Sequence, residues 1–280
     1  MNATFEPGLY IVATPIGNLS DLTPRAAAVL AAADVIAVED SRVTAKLLNH
    51  LGVKRPMAPY HDHSAAHVRP ALVARMAREV VALVSDAGTP LISDPGYKLV
   101  RDARAAGCNV VTIPGPCAAI AALTLGGLPT DRFMFLGFLP EKAKARADVI
   151  AEVAAIRTTL VFYESGKRLG KTLRALADVL GEREAAVARE LTKRFEECVT
   201  GTLGELAARY AETAPKGEIV LMVGPPLEEA APAADTLDEA LAEALQRLPP
   251  AKAAGEVAKQ FGADRKALYV RAMALRDAGG

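Results

Sequence analysis

Short apolar runs alternate with longer Ala- and Leu-rich stretches along the first part of the chain. Apolar runs of four to six residues are typical of buried strands in a parallel sheet, and the longer stretches are typical of helices. Strand–helix alternation of this kind predicts a mostly parallel sheet joined by helical crossovers. The pattern predicts strands at 9–14, 34–39, 80–85 and 109–114, and helices at 24–33, 41–51, 67–77 and 98–107.

A second α/β pattern follows after about residue 131. Its strands at 185–190 and 197–201 are joined by a short segment, which favours antiparallel pairing and therefore a mixed sheet. The Gly126-Gly127 pair and Pro129 mark a helix end, which places the boundary between the two α/β domains nearby. The pattern predicts strands at 133–138, 159–164, 185–190, 197–201 and 218–224, and helices at 141–155, 167–180 and 203–213.

The composition changes near the carboxyl end of the chain. Residues 226–250 carry six acidic side chains and one basic one, whereas residues 251–280 carry six basic and three acidic ones. The pattern predicts a helix at 251–261 and a short turn that contains Gly262. It predicts a second helix after the turn, with Asp264 as its cap. The sequence thus predicts domains at 1–120 and 121–226, then an acidic linker and a basic helix-turn-helix tail at 227–280. A basic tail of this kind suits nucleic-acid contact, and a small packing appendage is the alternative.

Overall composition excludes several classes of protein. The 280 residues are 51% hydrophobic and 24% charged, which is ordinary for a globular protein and excludes a disordered one. The 33 basic and 33 acidic side chains balance, which excludes a uniformly basic nucleic-acid coat protein. Three cysteines without CxxC spacing argue against a disulfide framework or a thiolate zinc site. No signal peptide or membrane span is recognisable, so we expect a cytoplasmic protein without membrane association.

Residue types typical of binding sites follow the predicted strands. Five loops are rich in Gly, Pro, Asp and Ser, and in an open parallel sheet such loops share the edge where ligands bind. Neither a GxGxxG fingerprint nor a P-loop is present, and the loops offer carboxylates and small residues instead of a phosphate cradle. They suit a ligand with an adenosine part and a positive centre, a description that S-adenosylmethionine fits. The loops are TPIGNL (14–19), EDSR (39–42), HDHS (61–64), SDAGTPLISDPG (85–96) and PGPC (114–117).

These loops also carry a resemblance to a known family. The run LVSDAGTPLISDPG (83–96) is its most specific part, and EDSR or FYES alone would be weak. The other matching segments are TPIGNLSDLTPRA (14–26), AVEDSRVT (37–44), HDHS (61–64), PGPCAAIAAL (114–123), FLGFLP (135–140), FYES (162–165) and ARELTK (188–193). Over residues 8–224 and into the tail, the chain resembles the ribosomal small subunit methyltransferase I group of the tetrapyrrole methylase superfamily.

The resemblance implies a fold, a cofactor and partners. It implies two α/β domains, the second with a mixed sheet, that hold S-adenosylmethionine in the cleft between them. It implies 2′-O-methylation of a cytidine ribose in the decoding region of 16S rRNA, on the small ribosomal subunit, by a homodimer. The donor-binding residues that it implies are Pro15, Ile16, Gly17, Asp86, Gly88, Thr89, Pro90, Ile92, Ser93, Pro116, Cys117, Ala118, Tyr163 and Leu191.

Loop position supplies candidates for catalysis and for RNA contact. A ribose hydroxyl is a poor nucleophile, so a nearby base or charge would help to activate it. The catalytic candidates are Glu39, Asp40, Glu164 and Lys193, from a wider set of loop residues that adds His61, His63, Arg189 and Glu190. The RNA-binding candidates are Arg42, Lys142, Lys144, Arg146, Arg265, Lys266 and Arg271. Asp40 has the alternative role of capping a helix, and the histidines of HDHS are interpreted as RNA-contacting or ordinary loop residues, with no metal expected.

Two other functions are compatible with the pattern. A precorrin methyltransferase would share the fold, but superfamily members that act on corrinoids usually carry a GxGxGD-like first loop, where this chain has TPIGNL. The basic tail also argues against that substrate. A non-enzymatic nucleic-acid-binding regulator would use the tail, but it would need no methyl-donor loops.

Overall fold

The computed structural model describes residues 4–61, 65–226 and 234–278. The chain divides into two compact units, residues 1–226 and 227–280. The first unit contains both predicted sheets, and the second is entirely helical in its described part. The predicted boundary between residues 120 and 121 falls inside a helix that runs from Ala118 to Leu125, and the three-part domain division stays a prediction.

The first sheet has five strands, all parallel, in the order β3-β2-β4-β1-β5. Its strands are buried between two apolar layers, one that includes Val29, Leu30 and Leu47 and another that includes Leu72 and Leu99. Burial on both faces explains why these strands are continuous apolar runs. The elements are β1 (Gly8–Val12), α1 (Pro24–Ala32), β2 (Val35–Val38), α2 (Ser41–His50), β3 (Met57–Pro59), α3 (Ala65–Met76), β4 (Val80–Leu83), α4 (Tyr97–Ala105) and β5 (Val110–Ile113).

The second sheet is mixed, as predicted, with the order β6-β7-β10-β8-β9. Only β6 and β7 pair in parallel, and each other neighbouring pair is antiparallel. One face packs under α6, α7 and α8, and the other packs under α5. The elements are α5 (Ala118–Leu125), β6 (Phe133–Phe138), α6 (Ala143–Val153), β7 (Thr159–Ser165), α7 (Gly166–Leu180), β8 (Glu184–Arg189), β9 (Glu197–Thr202), α8 (Leu203–Arg209) and β10 (Glu218–Val223).

The helical unit corrects part of the sequence interpretation. Residues 234–245, which we predicted as part of an acidic linker, form the helix α9 (Ala234–Leu245). Leu241 and Ala244 of α9 are buried against α10 (Pro250–Phe261) and α11 (Arg265–Ala278), because the apolar residues recur at helical spacing between the acidic ones. The predicted turn is confirmed: Gly262 is left-handed with φ of 64°, and Asp264 accepts from the amides of Lys266 and Ala267 at 2.7 and 2.8 Å. The described part of the tail is thus a three-helix unit.

Two further differences concern β3 and α8. The strand β3 is only three residues long, too short for an apolar run to reveal, and the buried Tyr60 follows it. The helix α8 ends at Arg209, four residues before the predicted end at 213, with Tyr210 as its C-cap. Within the described ranges, no helix is both long enough and apolar enough to cross a bilayer.

Candidate active site

A cavity of about 460 Å³ opens at the carboxyl ends of the first-sheet strands and is closed by the second sheet. This location matches the rule that ligands bind beyond the carboxyl ends of strands in open α/β sheets. Its lining comprises Ile16, Glu39, Asp86, Ala87, Gly88, Thr89, Ile92, Ser93, Asp94, Cys117, Ala118, Phe138, Tyr163, Glu164, Ser165, Glu190, Leu191, Lys193, Gly217, Glu218, Ile219 and Val220.

The loop after β4 is tied to its neighbours by hydrogen bonds. The backbone groups of Thr14 and Gly88 exchange two hydrogen bonds of 2.8 and 3.0 Å. The Asp86 carboxylate accepts from the Asp40 amide at 3.0 Å, and the Thr89 hydroxyl donates to the Pro116 carbonyl at 2.9 Å. The loop after β4 is therefore held to the loops after β1, β2 and β5, which gives the cavity a preformed wall.

Backbone strain is concentrated in two loops at the cavity. Among the described residues, the non-glycine positions with positive φ are Leu91 (76°), Ser93 (63°), Glu190 (51°) and Thr192 (65°). Ser93 and Glu190 line the cavity directly. Such conformations cost free energy and cluster at functional sites, where surrounding contacts hold them in place.

Glycines give these loops room to meet. A Cβ atom on Gly217, which has a φ of 96°, would lie 2.2 Å from Oε1 of Glu190. A Cβ atom on Gly17 would lie 2.6 Å from Cγ of Lys193. The Lys193 ammonium lies 3.1 Å from the Glu190 carboxylate. Gly17 packs against the lysine of this ion pair, and Gly217 packs against the glutamate. Gly17 therefore shapes the site without lining the cavity.

An aromatic wall and a helix N-terminus form the apolar side. The Tyr163 ring packs edge-on against Phe135 and Phe138, with centroid separations of 4.8 and 5.7 Å. Burial together with the neighbouring Cys117 raises the pKa of Tyr163, and the Ala119 amide in the first turn of α5 opposes the rise. Cys117 is the N-cap of α5 and makes no side-chain capping bond. The amino end of α5 thus faces the cavity and favours a negatively charged group.

The opposite side of the cavity is acidic. Asp86, Asp94 and Glu218 all line it. Burial raises the pKa of Asp94, the charges of Asp86 and Glu218 raise it further, and a hydrogen bond from the Ser85 side chain opposes the rise. Several carboxylates that share a partly desolvated site favour a ligand with a positive centre. Within the described residues, no cluster of His, Cys, Asp and Glu has metal-binding geometry; His63 lies outside those residues.

The structure brings most of the predicted donor-binding residues together. Pro15, Gly17, Pro90 and Pro116 do not line the cavity but lie in the loops that form it. The Pro116 carbonyl, for example, accepts the Thr89 hydrogen bond. The predicted residues in the lining are Ile16, Asp86, Gly88, Thr89, Ile92, Ser93, Cys117, Ala118, Tyr163 and Leu191.

The four catalytic candidates occupy different environments. Glu39 and Lys193 line the cavity. Glu164 also lines it, but its buried carboxylate accepts from the Ser165 amide at 2.8 Å and the Thr172 hydroxyl at 2.6 Å, with the Arg168 guanidinium at 3.2 Å. Those contacts anchor α7 to β7. Asp40 is outside the lining and caps α2, and its pKa is lowered to about 2 by Arg42, whose guanidinium lies 2.5 Å away.

The predicted RNA-binding residues are exposed, with two exceptions. Arg42, Lys142 and Lys144 are exposed near the amino ends of α2 and α6, and Arg265 and Lys266 are exposed at the start of α11. The half-buried Arg146 donates to the Glu141 carbonyl at 3.0 Å. Arg271 is paired with Asp238 at 2.8 Å, so within the helical unit it links α11 to α9.

Sequence reasoning missed several lining residues, among them four at the start of β10. The amino end of that strand contributes Gly217, Glu218, Ile219 and Val220. Ligands of open α/β sheets bind beyond the carboxyl ends of the strands, so no contribution from an amino end is expected. Because β10 runs antiparallel to β7 and Glu218 pairs with Ser165, its amino end lies beside the carboxyl end of β7. Only the strand direction could have revealed this. Asp94, by contrast, lies within the recognised run 85–96 and was overlooked there.

Comparison with known proteins decides the family. The sequence model described as Tetrapyrrole (Corrin/Porphyrin) Methylases matches residues 8–207. The chain belongs to this family. A second model, described as the RsmI C-terminal HTH domain, matches residues 230–276 and thus covers most of the helical unit. The resemblance inferred from the loop motifs is confirmed.

Curated relatives match nearly the whole chain. A protein of Erythrobacter litoralis is 57% identical, with 97% of this chain and 96% of that protein covered. Proteins of Mesorhizobium japonicum and Escherichia coli O157:H7 are 50% and 48% identical, with at least 94% of each chain covered. All three are named ribosomal RNA small subunit methyltransferase I.

Solved structures confirm the fold of this methylase. Uroporphyrin-III-C-methyltransferase from Thermus thermophilus aligns with a TM-score of 0.57 at 23% identity, over 78% of this chain and 94% of its own. Diphthine synthase aligns with a TM-score of 0.62 at 14% identity, over 77% and 89%. A conserved hypothetical protein from Aeropyrum pernix aligns with a TM-score of 0.64 at 17% identity, over 98% of both chains.

Proposed function

We propose that this tetrapyrrole methylase family member transfers a methyl group from S-adenosylmethionine to small-subunit ribosomal RNA. In its finer form, the proposal places the methyl group on the ribose 2′-oxygen of a cytidine in the decoding region of 16S rRNA. The observation that carries the proposal is the 57% identity, across 96% of its length, to a protein named ribosomal RNA small subunit methyltransferase I.

The cavity fits the proposed donor. Its volume of about 460 Å³ lies within the range of about 300–1,000 Å³ of small-molecule sites. Asp86 and Asp94 complement a positively charged group, the first turn of α5 complements a carboxylate, and Tyr163 with Leu191 offers an apolar wall for an adenine ring. When bound, S-adenosylmethionine supplies a methyl group on a positively charged sulfur.

Among the catalytic candidates, geometry favours Lys193 and Glu39. The Glu164 carboxylate accepts hydrogen bonds from Ser165 and Thr172, and Asp40 caps α2 and pairs with Arg42. Lys193 lies beside Glu190 in the strained loop after β8 and places a positive charge at the cavity. That charge would stabilise the negative charge that develops on a ribose oxygen when the hydroxyl loses its proton. Glu39, at the end of β2, would accept that proton.

The test is transfer of labelled methyl from S-adenosylmethionine to small ribosomal subunits from cells that lack the protein, followed by nuclease mapping. We expect a 2′-O-methylcytidine in 16S rRNA. Lys193→Met should lower kcat by about 100-fold, a size typical of losing one group that stabilises transition-state charge, with little change in donor affinity. Lys98→Met, an exposed lysine of α4, is the matched control.

Other outcomes are informative too. Donor binding without transfer to subunits or naked rRNA would overturn the rRNA assignment, and transfer to corrinoids would replace it. Unchanged kcat in Lys193→Met would overturn the role of that lysine but not the overall reaction.

We also propose that the protein acts as a homodimer in the cytoplasm, where its rRNA substrate is located. Several large apolar side chains are exposed on α5 and on the edge strand β6: Ile120, Leu125, Phe133 and Met134. Exposed apolar side chains on one helix and an unpaired sheet edge favour coverage by another chain. Sedimentation equilibrium at twice the chain mass of 29.4 kDa would support the dimer, and a monomer mass would overturn it.

A further inference from the structure

A second depression lies on the outer side of the mixed sheet, away from the cavity lining. It has a volume of about 550 Å³ and is formed by α6, α7 and the α8 end. Its lining includes the small residues Ala143, Ala147, Gly170 and Ala207 and the charged residues Arg146, Lys171, Arg174 and Asp178. With three positive charges against one negative charge, we call it the basic groove.

The cations of the basic groove lack protein anions. Among the described residues, Lys171 and Arg174 are exposed and make neither a hydrogen bond nor an ion pair. Arg146 donates to the Glu141 carbonyl through Nη1, while its Nε is buried without a hydrogen-bond partner. Lys171 and Arg174 are therefore available to hydrogen-bond an anionic ligand that enters the groove.

A helix terminus adds to the positive potential. Ala143, which lines the groove, is the first residue of the 11-residue helix α6, and the N-cap Lys142 makes no side-chain capping bond. The amides of that first turn carry the positive end of the helix dipole. A Cβ atom on Gly170 would lie only 2.5 Å from the Tyr210 carbonyl oxygen, so this glycine allows α7 to pack closely against the end of α8 beside the groove.

We propose that the basic groove binds the phosphate backbone of the RNA substrate. Three cations and an uncapped helix N-terminus suit successive phosphodiesters, because phosphates accept hydrogen bonds from guanidinium groups and backbone amides alike. The proposed rRNA substrate favours an RNA backbone over an acidic peptide as the occupant. This inference rests on the proposed function, and it adds Lys171 and Arg174 to the predicted contacts Lys142, Lys144 and Arg146. The groove positions RNA and takes no part in the chemistry.

The test measures RNA affinity separately from methylation. The variant K171E/R174E is compared with R78E/R104E, which reverses two exposed arginines just ahead of β4 and β5, at the opposite end of the first sheet. Binding of a labelled fragment of small-subunit rRNA is followed by fluorescence anisotropy from 50 to 200 mM salt. We expect K171E/R174E to raise Kd about tenfold and to lower the slope of log Kd against log salt by about 1.5, as loss of two phosphate contacts requires. The control variant should match the wild type.

The failures can be told apart. If the wild type binds RNA and K171E/R174E binds it with the same affinity and slope, the groove proposal is wrong, whether or not methyl transfer occurs. If the variant loses affinity while the wild type methylates no rRNA, the groove stands and the proposed function fails. Donor affinity measured by calorimetry, with the neutral variant K171Q/R174Q, checks folding: both variants should bind the donor normally, and K171Q/R174Q should show an intermediate loss of RNA affinity.

Discussion

At the residue scale, Asp94 has the clearest consequence for pH dependence. Because burial and two neighbouring carboxylates raise its pKa above the ordinary 3.8, its carboxylate gains a proton at a higher pH than an exposed aspartate would. The ionised form is the one that attracts a cation. Affinity for a positively charged donor should therefore be full near neutral pH and fall as pH drops through the raised pKa.

We expect Asp94→Asn to weaken donor binding at pH 7.5 by about tenfold, the size of one hydrogen bond to a charged group, and to flatten the pH dependence below neutrality. The same change should stabilise the ligand-free protein at neutral pH, since a carboxylate with a raised pKa destabilises the fold once it ionises. Calorimetric titration from pH 5 to 8 measures the first effect, and thermal unfolding measures the second. Asp131→Asn, at an exposed position, is the control; equal pH profiles for all three proteins would contradict the assignment.

Residue identity predicted which side chains line the cavity better than it predicted their hydrogen-bond partners. Asp86 and Thr89 could be carried over because both lie in the specific run 83–96. The role of Glu164 could not, since its carboxylate is held by Thr172, which is eight residues away in a different element. Whether a carboxylate is available as a base depends on such partners, and a sequence does not show them.

At the scale of elements, periodicity identified the strands buried on both faces. The runs around β1, β2 and β4 are short, apolar and followed by Gly, Pro or Asp, so little else competes with a strand there. The strand β3 has only three residues, and its position is set by pairing with β2. The direction of β10 also depends on tertiary pairing, which is why its contribution to the cavity was not foreseen.

The helix α9 shows how charge can conceal a helix. Its acidic residues suggested a linker, but Leu241 is fully buried against α10 and α11. We expect Leu241→Ala to destabilise the helical unit by about 2–5 kcal/mol, the usual cost of emptying a buried leucine site. Hydrogen exchange of the α10 and α11 amides should accelerate in full-length protein. Exchange as slow as in the exposed-site control Glu239→Ala would mean that α9 is dispensable.

At the scale of the whole molecule, the formal net charge of zero conceals an uneven distribution. In the first unit, the basic groove carries three cations and one anion, and in the second unit Arg265 and Lys266 are exposed at the start of α11. Phosphate contacts of this kind provide affinity and register, whereas the acidic, preformed cavity provides the site for chemistry. A protein of balanced charge can thus bind RNA locally without coating it.

If the two basic surfaces contact different phosphates, their contributions to RNA affinity should add. Reversing Arg265 and Lys266 should not unfold α11, because acidic side chains in a first helical turn interact favourably with the helix dipole and Asp264 keeps its capping bonds. We expect R265E/K266E to raise the Kd for rRNA about tenfold, and its combination with K171E/R174E to raise it about 100-fold, additive within about 0.5 kcal/mol. Anisotropy titrations of the wild type, the two double variants and their combination, all at one salt concentration, complete the double-mutant cycle. A combined effect no larger than either double variant alone would show that the two surfaces do not act independently, and unchanged binding in R265E/K266E would remove the helical unit from RNA recognition.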